Sequence, residues 1–173
     1  MILESQRKKL IIRRALLALI LLGLAVIQNT DGLFPQPFGV RALLLIPAVV
    51  CVAMFERDMA GMFFGLFAGA IWDTYTQGGD FNALYLLIAG FVCGTLINTI
   101  MRNNIVTAAI LCSFFITLHP VIYWLFHYVL AGLDSAGYIF VRYYLPSAAF
   151  TALFIPFMFI AVRAIEKVFS EEE

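Results

Sequence analysis

Charge is what this sequence has least of. Only 13% of its 173 residues are Asp, Glu, Lys or Arg, roughly half the share of an ordinary soluble domain. Acidic and basic residues balance at 11 each, so no overall field points to nucleic acid, and none is expected as a partner. Histidine occurs twice and cysteine three times. Cys51, Cys93 and Cys112 lie inside apolar runs, with neither metal-ligand spacing nor the pattern of a secreted disulfide framework. They read as small buried residues. No serine–histidine or cysteine–histidine constellation, phosphate loop or carboxylate pair stands out, so neither an enzyme nor a cofactor is expected.

What the sequence does have is apolar length. Hydrophobic residues make up 63% of the chain, and the runs they form imply an all-α integral membrane protein in one domain. Six spans are expected, at 15–27, 40–55, 59–76, 81–101, 105–130 and 143–165. A basic segment, 1–14, precedes them and a tail, 166–173, follows. The first run resembles a signal peptide but lacks a small-x-small cleavage site, so it reads as an uncleaved span. The second and third runs are short and share the hinge Glu56-Arg57-Asp58. They could be a re-entrant pair, which is tolerated only inside protein. Two spans are preferred because Arg41 and Glu56 can extend the second run by snorkelling.

The basic residues test the orientation. Six spans with the N-terminus inside put Arg7, Lys8, Lys9, Arg13, Arg14, Arg57, Arg102, Arg163 and Lys167 on the cytoplasmic side. Only Arg41 and Arg142 remain outside, a strong positive-inside bias with both termini cytoplasmic. Trp72, Trp124 and the tyrosines at 75, 138, 143 and 144 cluster near the outer boundary, as an aromatic belt would.

One stretch looks like the centre of the bundle. Gly61, Gly65, Gly69 and Asp73 recur every fourth residue and so share one helix face. Gly90, Gly94 and Asn98 repeat the pattern on the next helix. Such stripes let helix backbones approach closely in a membrane, so these residues are candidates for helix packing and a partner interface. Asp73 would sit at the C-terminal end of its helix, where the dipole disfavours a carboxylate. It therefore wants compensation: a cation, for which Arg41 and Arg142 are the outer candidates, outward water, or hydrogen-bond donors.

His119, Tyr123 and His127 share a face of the fifth span and are expected to form a polar seam between helices. Two histidines two turns apart are too far separated for an ordinary metal site, so no metal is expected. Pro47, Pro120 and Pro156 interrupt three spans; packed membrane helices tolerate this, and transporters use it near substrate sites.

The pattern Gly65-x-x-x-Gly69-x-x-x-Asp73, followed by Gly79-x-x-x-Ala83-Leu84, resembles the rod-shape-determining MreD family. Leu145-Pro146 ahead of the last span, with Pro156 within it, is a weaker match. The family often opens its second span with Arg-Pro, where this chain has Arg41-Ala42. It often carries an Asn a few residues after the last-span Pro, where this chain has Phe150 and Thr151. The resemblance implies a non-catalytic subunit of the rod complex, or elongasome, in the bacterial cell membrane. It would bind MreC, with MreB, RodA and its penicillin-binding partner in the same assembly and membrane lipid around it. It would help organise lateral cell-wall synthesis and cell shape. The substrate-binding subunits of energy-coupling-factor vitamin transporters are also similar in length and span number. That alternative implies a small-molecule substrate captured beneath the segment 28–39.

Overall fold

The computed structural model describes residues 2–36, 39–76, 80–132 and 136–170, with side chains from residue 6 to 169 within those stretches. Residues 77–79 and 133–135, between the expected spans, and 171–173, the end of the expected tail 166–173, fall outside them. The helices are α1 (Ile2–Asn29), α2 (Leu45–Glu56), α3 (Asp58–Tyr75), α4 (Asn82–Thr99) and α5 (Ile105–Trp124). A π-helical turn, Leu125–Val129, extends α5. Next come α6 (Ala136–Ile139), a second π-helical turn (Phe140–Tyr144), α7 (Leu145–Ala152) and α8 (Ile155–Ser170). No strand occurs among the described residues.

Four stretches are long and apolar enough to cross a membrane: Gln6–Asn29, Asn82–Thr99, Ile105–Val129 and Ala136–Phe169. Large apolar side chains face outward on them and on α3, among them Leu19, Phe63, Ile110 and Phe157. Exposed apolar area on this scale fits lipid rather than water, and these features together suggest a membrane protein. The first and last helical stretches begin earlier than expected. The basic segment contains good helix formers and no breaker, so α1 runs through it. Gly137, between the expected spans 105–130 and 143–165, lies in α6.

The centre of the molecule is α2, not the glycine helix α3. Every α2 residue except Phe55 is buried, and α2 touches α1, α3, α4, α5 and α8. The reason is compositional: until Glu56 it has no polar side chain on any face, and a helix apolar all round belongs in a core. Its 12 residues rise about 18 Å, short of the ~30 Å hydrocarbon layer. By contrast α3 leaves Phe63, Leu66 and Phe67 exposed.

Three polar side chains hold the lead-in to α2. Gln28 Oε1 accepts the Leu45 N–H at 2.9 Å. Thr151 Oγ1 accepts the Leu43 N–H at 2.9 Å, and the Ser147 hydroxyl donates to the Arg41 carbonyl. Residues 41–43 are non-helical, and two of their backbone groups, with the first N–H of α2, thereby find partners. Of the three prolines expected to interrupt spans, two occupy first turns: Pro47 in α2 and Pro156 in α8. There the missing N–H is no loss. Pro120 alone sits inside a helix.

The described helices run between two ends. One end is charged: Arg13 of α1 reaches Glu166 of α8 and Glu56 at the close of α2. Asn103, just before α5, bonds the Met54 carbonyl nearby. The other end is aromatic and holds Trp72, Phe81, His119 and Tyr123.

Candidate functional site

The α3–α4 hairpin is built backbone against backbone. A Cβ at Gly65 would overlap the Leu86 carbonyl, one at Gly69 the backbone of Asn82 and Ala83, and one at Gly90 the Gly61 carbonyl. At Gly94 it would lie 2.5 Å from Asp58 Cα, and at Gly61 2.7 Å from Ala53 Cβ on α2. The two glycine stripes therefore face each other, and all five glycines are buried. These five glycines, expected to serve helix packing or a partner interface, are taken up by packing within the chain. Asn98, expected on the same face as Gly90 and Gly94, is exposed.

Asp73 closes this hairpin. Its Oδ1 accepts the Asn82 N–H at 3.2 Å and its Oδ2 the Ala83 N–H at 2.9 Å. These are first-turn donors of α4 that have no partner within their own helix. The unfavourable dipole end of α3 is offset by the favourable N-terminus of α4, which lies against the same carboxylate. Of the possible compensations, hydrogen-bond donors are the one found, and the arginines are engaged elsewhere: Arg41 bridges Asp31, and Arg142 lies over the Tyr143 ring at 5.5 Å.

Beside the cap, side chains from three helices converge. Asn82 Oδ1 is 2.8 Å from His119 Nε2. The His119 ring stacks on Trp72 with centroids 5.2 Å apart and meets Tyr85 edge-on at 4.9 Å. The stack continues along α5 through Tyr123 to His127, the last two rings lying 4.0 Å apart and 9° from parallel. His127 Nε2 is 3.9 Å from Asp80. The expected His119–Tyr123–His127 seam is thus a continuous stack that runs from the core to the aromatic end. A cavity of about 300 Å³ opens there, walled by Trp72, Asn82, His119, Tyr123, Tyr144 and the Arg41 segment. Nδ1 of His119 is buried and finds no hydrogen-bond partner among the described residues.

The charged end carries residues whose roles sequence reasoning missed. The Glu56 side chain is wholly buried; Arg14 Nε donates to its Oε2 at 2.9 Å. Arg13 Nη2 stands 2.6 Å from its Oε1 in an ion contact, and Arg13 Nη1 donates to Glu166 at 2.9 Å. Arg13 and Arg14, read from sequence as orientation charges, also tie α1 to α2 and α8. A carboxylate ending one apolar run, with two adjacent arginines just before another, was the available signal. Gln28, Asn82, Ser147 and Thr151 were missed too, because single polar residues in apolar runs carry no spacing.

The three cysteines, scattered in sequence, come close together where α2, α4 and α5 meet. All are buried free thiols. Among the described residues no group of three or more His, Cys, Asp or Glu side chains could hold a metal ion. No protein-family model, curated protein or solved structure matches this chain.

Proposed function

We propose that this protein is a non-catalytic subunit of a bacterial rod complex, similar to MreD, with six membrane passes and both termini in the cytoplasm. It would bind MreC and, through it, join MreB, RodA and a penicillin-binding protein in organising lateral wall synthesis. The observation that carries this reading is the unity of Gly65, Gly69 and Asp73. The spacing that prompted the resemblance belongs to one device, a glycine contact and a carboxylate cap that together close the α3–α4 hairpin. The contact between Arg13 and Glu166 supports termini on one side, and the positive-inside bias supports that side being cytoplasmic. Thr151, which stands near the family's last-span Asn, is buried and polar and holds the lead-in to α2.

Because the glycines face each other, docking would use the outward faces of the helices. The test is crosslinking of a tagged copy in native membranes, followed by purification and identification of what is bound. MreC with a wall-synthesis enzyme is the expected recovery. An ATPase, with a vitamin held in the bundle, would overturn the reading in favour of an energy-coupling-factor transporter subunit.

A further inference from the structure

A groove between α1 and α3 opens on the outside of the bundle, at the charged end. Arg14 and Ala18 line it from α1, and Ala60, Phe63, Phe64 and Phe67 from α3. Residues 60, 63, 64 and 67 share one helix face, as do 14 and 18. Phe63 and Phe67 are exposed, so this wall of rings meets whatever surrounds the protein. Arg14 stands at the head of the groove. It bonds Glu56 through Nε, and its side chain is still 45% exposed. The terminal N–H fork of its guanidinium is left to donate.

Shape and charge together describe the occupant. From Ala60 to Phe67, α3 rises about 10 Å, and the groove holds about 230 Å³. A helix about 10 Å across would need roughly 800 Å³ over that length, whereas an extended hydrocarbon chain is narrow enough to lie in it. An exposed guanidinium beside three phenylalanines, level with the end of the apolar helix α2, calls for an anion. Glu56, the carboxylate it touches, is wholly buried and also holds Arg13. Asp58 lies on the other side of α3, its backbone against Gly94 of α4. Exposed Arg7 precedes Arg14 by two turns on the same face of α1, so the field at the head of the groove is positive. A phosphate takes such a fork in two parallel hydrogen bonds, and a net-negative headgroup brings no cation of its own toward Arg7.

We propose that this groove binds one anionic phospholipid, with its phosphate on the Arg14 guanidinium and an acyl chain laid along Ala18, Phe63, Phe64 and Phe67. With the charged end in the cytoplasm, as proposed above, the anionic inner leaflet supplies that lipid. The inference stands apart from the partner assignment: failure to recover MreC leaves it untouched.

The experiment uses native mass spectrometry of the full chain in detergent. The chain is titrated with phosphatidylglycerol and with phosphatidylcholine of the same acyl chains, and the first lipid bound is read. Phosphatidylglycerol should bind about tenfold more tightly, the scale of one charge-assisted contact. Arg14→Gln should bring the two lipids to equal affinity. Ala18→Phe fills the groove and leaves the Arg14–Glu56 pair in place. It should weaken phosphatidylglycerol by a similar factor, and it serves if the Arg14 variant does not fold. Phosphatidylglycerol with a photoreactive acyl chain should label residues 60–67 of α3. Equal affinity of the parent chain for the two lipids, unchanged phosphatidylglycerol affinity in either variant, labelling confined to other surfaces, or a dimer of the chain that displaces the lipid would overturn the proposal.

Discussion

Asp73 Oδ2, on α3, lies 2.9 Å from the backbone nitrogen of Ala83, in the first turn of α4. The carboxylate is therefore a cap delivered from the neighbouring helix, in the place where an N-cap side chain would ordinarily act. With the Asn82 N–H on its other oxygen, it ties both sides of the turn. Asp73→Ala should lower stability by about 1–2 kcal/mol, the usual loss of a cap. Asp73→Asn keeps one acceptor and should lose under about 1 kcal/mol. Thermal unfolding in detergent measures both. An Asp73→Ala protein as stable as the parent would show that the cap contributes nothing.

The glycine contact predicts a sharp positional contrast. A Cβ at Gly65 would overlap the Leu86 carbonyl, whereas one at Gly23 on α1 meets nothing within 4 Å among the described residues. Gly65→Ala must push α4 away and should lose about 2 kcal/mol or more, as overpacking does. Gly23→Ala should be neutral or gain up to about 1 kcal/mol from helix propensity. Equal effects of the two substitutions in the same unfolding assay would dismiss the close backbone contact.

Glu56 sets the strength of the charged end. Its side chain is wholly buried against Arg13 and Arg14, and both arginines retain some access to solvent. Glu56→Ala removes the acceptor while the arginines can partly rehydrate, so a loss of about 3 kcal/mol is expected, the low end for a broken buried pair. In a double-mutant cycle, Arg13→Gln should then lose only its part-exposed contact with Glu166, about 1 kcal/mol or less. Additive losses at Arg13 and Glu56 would mean that the two do not act through each other.

Arg57 joins α2 to α3 with φ 72° and ψ 175°, a conformation that side chains adopt at a penalty and glycine adopts freely. Relief of that strain outweighs the extra freedom of glycine in the unfolded chain. Arg57→Gly should therefore raise stability by about 1 kcal/mol. A lower melting temperature for this variant would show that the arginine side chain matters more than its backbone.

Much of the architecture was legible from local pattern alone. Apolar run length marked the helices, and four-residue glycine spacing marked the faces on which α3 and α4 come closest. Composition separated this chain from soluble domains. These features depend only on neighbours a turn or two away, which is why they can be read without a fold.

What remained hidden depends on which helices meet. A short apolar helix reads alike as a span or a core element, and only the five helices packed around α2 settle that it is buried. Asp73 could have turned to an arginine; the close glycine approach instead brings it onto the first turn of α4. Arg14 and Glu56 are 42 residues apart, and no local periodicity links them. The cavity beside His119 draws its walls from α3, α4, α5 and the segments around Arg41 and Tyr144. Helix content and the glycine faces thus came from the sequence by itself, because they rest on local spacing. The buried centre, the cap and the cavity were decided by tertiary structure, because each needs partners that only the folded topology brings together.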